Sequence, residues 1–245
     1  MSDTIKTLCI IPARSGSKGL LRKNIMPLHG KPLIHWAVKA ARDSGVIDEI
    51  FVSTDDEEFA EIARNSGASV PFLRSDEHAR DESTTEDTLH EALELYENHI
   101  GYKFDICVFL TCTDVFKDPK WIEEAVKTLK ENSEIESAFV VNTTHKNYWH
   151  QVNNIKTRIL PWMKEYSNRQ VRKKIYREDT GLACASRSTL WRQKRRIGDV
   201  VHLIETNNTE TYIDIHDPFD LYIANKAIKY LKDHHPDRVK LFSHD

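Results

Sequence analysis

Arg14, Ser15, Gly16, Ser17, Lys18 and Gly19 follow the apolar run 8–11 almost directly, and Arg22 and Lys23 come close behind. Small residues let main-chain amides come near an anion, where a Cβ would obstruct the approach or forbid the dihedral angles it needs. Four cations, Arg14, Lys18, Arg22 and Lys23, fall within ten residues with no acid among them, and their mutual repulsion calls for an anion to offset it. This is the chemistry of a polyphosphate cradle; the plainer alternative is a surface turn that keeps Gly, Ser and Lys for solubility. Two familiar glycine loops are excluded by spacing, since neither GxGxxG nor GxxxxGK[ST] occurs here, which disfavours a dinucleotide oxidoreductase. A polyphosphate in turn needs a hard cation held by carboxylates at strand ends. Asp214 lies between Ile213 and Ile215, where an ionised side chain is costly unless a cation or hydrogen bonds compensate. It is the first metal-ligand candidate.

The string PARSGSKG, continued by RKNI-x-PL-x-GKPLI, closely resembles the signature of the acylneuraminate cytidylyltransferase family, which comprises CMP-sialic acid synthetase-like enzymes and their relatives for other nonulosonic acids and KDO. The resemblance implies transfer of CMP from CTP to a sialic acid-like nonulosonic acid, with release of pyrophosphate. KDO, a pseudaminic or legionaminic acid, or a phosphonate stay open as acceptors, as does a nucleotide-binding protein that has lost catalysis. It further implies that Ala13, Arg14, Ser15, Gly16, Ser17 and Lys18 surround the triphosphate together with Lys23, that Asn24 lies close to the nucleotide, and that Arg74 of the Phe72-Leu73-Arg74 segment contacts it. Arg14, Lys18, Lys23 and Asp214 take the catalytic positions, and Mg2+ is the expected cofactor. Thr111, Thr113, Arg169 and Gln170 fall beside the acceptor sugar acid, although Arg172, Lys173, Lys174 and Arg177 crowd the last two and leave a simple basic face equally open.

Two departures from the family pattern stand near the metal. Relatives read IDID where this chain reads IDIHD, so His216 replaces the second aspartate. Imidazole suits magnesium poorly. Asp217 is open as a substitute ligand, although Asp217-Pro218-Phe219-Asp220 also reads as an N-cap, a proline at N1 and an acidic N3 residue. Relatives also read LQPTSP where this chain has Leu110-Thr-Cys-Thr-Asp114-Val. Asp114 then stands at the carboxyl end of a central strand, where open α/β sheets bind ligands, and is the candidate for the missing carboxylate; a surface aspartate leading into a helix is the alternative.

These groups need a scaffold, and the apolar periodicity supplies one. Strands are expected at 8–11, 49–53, 106–110, 137–141, 181–185, 200–204 and 212–215, with helices at 32–44, 56–66, 84–98 and 118–132 and a terminal helix. This alternation predicts an α/β fold, a mostly parallel central sheet flanked by helices; the resemblance makes it Rossmann-like, of nucleotidyltransferase type. A chain of 245 residues suits one domain over 1–245. The polar, aromatic-bearing stretch 142–179 reads as an excursion from the sheet, and the resemblance makes it a dimerisation insert, hence a homodimer. The net charge of −3, from 35 basic and 38 acidic residues, provides no global field for nucleic acid or an anionic membrane. No apolar run reaches the length of a membrane span, and four cysteines without a CxxC pair suit a reducing cytoplasm.

Overall fold

In the computed structural model, residues 5–16, 19–74, 84–165, 168 and 170–243 are described. The first strand, β1 (Thr7–Pro12), is buried along nearly its whole length. It lies in mid-sheet, parallel to β4 (Glu49–Ser53) on one edge and to β5 (Ile106–Phe109) on the other. A strand covered on both faces reads as a continuous apolar run rather than an alternating one, which is why Leu8, Cys9, Ile10 and Ile11 are all apolar. Their side chains divide between two cores. Cys9 and Ile11 join helices α1 (Leu33–Asp43), α2 (Glu57–Asn65), α4 (Pro119–Glu131) and α6 (Pro218–His234). Leu8 and Ile10 join α3 (Thr85–Ile100) and the short α5 (Ser188–Arg192) on the opposite face. The result is a three-layer sandwich of helices, sheet and helices.

The main sheet runs β11-β6-β10-β5-β1-β4, where β6 is Ser137–Thr144, β10 is Cys184–Arg187 and β11 is Val201–Thr206. β6 and β11 are parallel, β10 lies antiparallel between β5 and β6, and β9 (Ile175–Glu178) pairs antiparallel with the far end of β6. Helix starts carry their side-chain caps: Asp56 accepts from Glu58 and Phe59, and Asp118 accepts from Lys120 ahead of Pro119. Pro32 is the residue before α1 rather than part of its first turn. A small hairpin, β2 (Pro27–Leu28) and β3 (Lys31–Pro32), follows the cation-rich segment.

Three expectations are corrected. The excursion is shorter than 142–179, because β6 continues to Thr144 and the chain is back in the sheet at Ile175; between them stands the hairpin β7 (Trp149–Val152) and β8 (Ile155–Arg158), paired only with itself. The strand expected at 181–185 begins at Cys184, because Gly181 is occupied in a turn whose carbonyl accepts from the Thr111 amide at 3.1 Å. The strand expected at 212–215 is a 3-10 turn, Thr209–Tyr212, followed by a single antiparallel bridge between Asp114 and Asp214.

Candidate active site

The loop after β1 leaves the sheet at Ala13, which is buried and donates its amide to the Ser53 carbonyl at 2.9 Å. Ser15 gives both amide and hydroxyl to Asp55, at 2.8 and 3.1 Å, so its donors are tied to the loop after β4. Asn24 is 6% exposed and donates to the Arg14 carbonyl at 3.0 Å, bracing the loop from behind. Arg74 crosses the end of β4, donating to the Ser53 carbonyl at 3.0 Å and to its hydroxyl, near Arg14. Burial lowers its pKa, with Asp55 and Glu91 opposing and Arg14 adding to the fall. Arg22, one of the four loop cations, turns instead to Asp56 and Glu58 at the start of α2. Ser17 and Lys18 lie outside the described residues.

Two contacts join this loop to the segment before α6. The Lys23 ammonium donates to the Ile215 carbonyl at 3.3 Å, and a Cβ at Gly19 would lie 2.7 Å from the His216 carbonyl oxygen. Gly19 is therefore glycine because the backbones nearly touch. The Ile215 amide in turn bonds to the Thr113 carbonyl at 3.1 Å, and the bridge sets Asp214 opposite Asp114. Residues 13–16, 19–24, 111–117 and 213–216 thus converge at the carboxyl ends of β1 and β5, the position expected for a ligand in an open α/β sheet.

The carboxylates are set differently. Asp214 Oδ2 is 2.8 Å from His216 Nε2, while its Oδ1 is buried with no hydrogen-bond partner. The Asp114 carboxylate accepts from the Thr111 hydroxyl at 2.6 Å, and its carbonyl accepts from Lys117. Burial pushes the Asp114 carboxyl above the usual carboxylate range; Asp214 and Asp179 add to the rise, while Lys117 and Thr111 restrain it. Lys117 is only 4% exposed, and burial lowers its pKa against the pull of Asp114, Cys112 and Asp214. Asp217 is committed to a capping box: its side chain accepts from Phe219 and Asp220, and Asp220 reaches back to the Asp217 amide.

Lys117 escaped the sequence reading because Val115-Phe116-Lys117-Asp118 looks like an ordinary helix lead-in. A second group also escaped it. Thr143–Asn147, Arg172 and Tyr212 line a cavity of about 520 Å³, beside Asp179, which is held by Asn142 and Arg177 at 2.6 Å each. The adjacent polar residues 143–147, with Lys146 among them, were the available signal. Arg169 lies outside the described residues, and Gln170 is exposed in a turn, with no part in that lining. Among the described residues no three or more His, Cys, Asp or Glu side chains gather as a metal cluster.

The family model described as cytidylyltransferase matches residues 8–195, which takes in the phosphate loop, β5 and the 111–117 loop. The chain belongs to the cytidylyltransferase family. The pseudaminic acid cytidylyltransferase of Campylobacter jejuni is 35% identical over 174 residues, 66% of this chain and 75% of that one. The CMP-N,N'-diacetyllegionaminic acid synthase of Legionella pneumophila is 31% identical over 235 residues, 92% of this chain and 97% of that one; the similarity therefore extends past residue 195. A CMP:2-keto-3-deoxy-manno-octonic acid synthetase solved with CTP superimposes with a TM-score of 0.67 over 92% of this chain and 99% of that one, at 15% identity. That likeness shows the nucleotidyltransferase fold alone. As a cytidylyltransferase, the protein is a CTP-dependent nucleotidyltransferase.

Proposed function

We propose that this cytidylyltransferase couples CTP to a nonulosonic acid, giving the CMP-sugar and pyrophosphate. The observation that carries the proposal is the closure of the cationic loop on the 213–216 segment through Lys23 and Gly19, which gathers phosphate-binding groups and two carboxylates at one end of the sheet. Arg14, Lys18 and Lys23 stabilise the charge developing on the leaving pyrophosphate, with Ala13, Ser15, Gly16 and Ser17 shaping the loop, Asn24 bracing it and Arg74 flanking it. Asp214 and Asp114 would hold magnesium: the orphaned, buried Asp214 Oδ1 is a hard oxygen donor of the kind magnesium prefers, and the triphosphate would supply further oxygens. When bound, the ion balances phosphate charge and stabilises the leaving group.

The cavity beside Tyr212 supports an acidic acceptor. Its volume of about 520 Å³ lies in the range of small-molecule sites, and Lys146 and Arg172 line it, with Arg172 bonded to Asn147. A planar guanidinium matches a carboxylate well. The β7–β8 hairpin supports a homodimer, because Trp149, Val152 and Ile155 are all more than half exposed on it with no other strand to pair with. The four cysteines are free and buried, and no described helix is long and apolar enough to cross a membrane; the free thiols support a cytoplasmic setting.

The test is pyrophosphate release from CTP and Mg2+ with a panel of acceptors: N-acetylneuraminic, legionaminic and pseudaminic acids, and KDO. Turnover with a nonulosonic acid is expected. Tight CTP binding without turnover on any acceptor would instead establish a nucleotide-binding protein.

A further inference from the structure

The family resemblance places Thr111 beside the acceptor, yet its hydroxyl is used within its own loop. It donates to Asp114 Oδ2 at 2.6 Å and accepts the Asp114 amide at 3.1 Å. The Thr111 main chain is itself held by the Gly181 carbonyl at 3.1 Å. Gly181 also sets the space around the carboxylate: a Cβ there would lie 1.8 Å from Asp114 Oδ2 and 2.7 Å from Thr111 Oγ1. The Asp114 carboxylate therefore occupies the volume that any other residue at 181 would fill with its side chain. A hydroxyl donor on one oxygen and a close main chain beside it fix the rotation of the carboxylate, so that its second oxygen has one defined direction.

We propose that Thr111 and Gly181 are positioning residues that hold the Asp114 carboxylate opposite Asp214, and that Thr111 does not read the acceptor. The inference rests on Asp114 serving as a metal ligand, as proposed above. Groups that orient a ligating carboxylate typically contribute 10- to 100-fold to metal affinity or activity. The loop then serves as a carboxylate mount, leaving acceptor recognition to the cavity lined by Lys146, Arg172 and Tyr212.

The test is Mn2+ affinity of the full chain, measured by electron paramagnetic resonance with a non-hydrolysable CTP analogue, beside steady-state kinetics. Thr111→Val is expected to weaken Mn2+ binding about tenfold or more and to lower kcat with acceptor KM unchanged, whereas Thr111→Ser restores both. Gly181→Ala is expected to weaken Mn2+ binding likewise; should it fail to fold, the valine and serine pair decides. Unchanged Mn2+ affinity in Thr111→Val with a raised acceptor KM overturns the proposal. Asp114→Asn separates the two layers. If it weakens Mn2+ binding while Thr111→Val does not, positioning alone fails; if it leaves Mn2+ binding unchanged, the metal-ligand reading fails and the proposal with it.

Discussion

Asp114 carries opposed demands on stability and function. Burial and the neighbouring Asp214 raise its pKa in the folded protein, so the folded state binds its proton over a pH range in which the unfolded chain has released it. Stability then falls as pH rises from the ordinary aspartate value through the raised one, and above both the whole penalty is present. Asp114→Asn should therefore melt higher than the parent protein near neutral pH, with the gap closing in acid, while magnesium-dependent turnover is lost. Paired thermal melts from pH 3 to 8 and a pyrophosphate assay check this; an equal or lower melting temperature at neutral pH would contradict it. At this scale Arg14, Lys23 and Asp214 stand out in the sequence because each sits in a recognisable string, and the structure brings their segments together. The Thr111–Asp114–Gly181 contact was not legible, since it depends on a glycine that only the returned chain brings alongside. Lys117 was hidden for a related reason: nothing in its neighbours announces that a lysine there is buried.

Elements were legible where apolar runs and caps agreed. β1, β4 and β5 follow from apolar runs, and α2, α4 and α6 begin at the acidic cap residues Asp56, Asp118 and Asp217. Tyr212-Ile-Asp-Ile215 has the alternation of a strand, but pairing decides a strand, and only the Asp114–Asp214 bridge is available to it. The β7–β8 hairpin leaves Trp149, Val152 and Ile155 more than half exposed, with the short 3-10 helix Pro161–Lys164 beside β8, and an isolated two-stranded hairpin is at best marginal in water. Placing lysine at both Val152 and Ile155 should convert a dimer to a monomer without lowering the melting transition of the sheet. Sedimentation equilibrium gives the answer, and a double variant that still sediments as a dimer would remove the hairpin from the interface.

For the whole molecule, the layered α/β architecture and its mostly parallel sheet were readable from the alternation of elements, whereas the reversed direction of β10 was not. An apolar run such as 181–185 says that a strand exists, not that β10 enters antiparallel between β5 and β6. That reversal carries residues 179–183 across the end of β5 and makes the candidate site a joint product of distant segments. Because the phosphate loop touches residues 215 and 216, CTP with Mg2+ should protect residues 13–24 and 213–216 from hydrogen exchange together. At a hundredfold excess over Kd, binding should add about 2.7 kcal/mol of stability. Protection of the loop alone would show that the two segments do not respond as a unit.

The bridge between Asp114 and Asp214 has a consequence for biosynthesis. Domains fold as the chain leaves the ribosome, N-terminal parts first, so the cationic loop and Asp114 emerge long before their carboxylate counterpart. A polypeptide released before residue 214 would carry the loop cations and Asp114 without Asp214, and so would lack half of the proposed metal site. On the proposed role of Asp214, competence for turnover is expected to be among the last properties the growing chain acquires, and prematurely terminated products are expected to be catalytically silent.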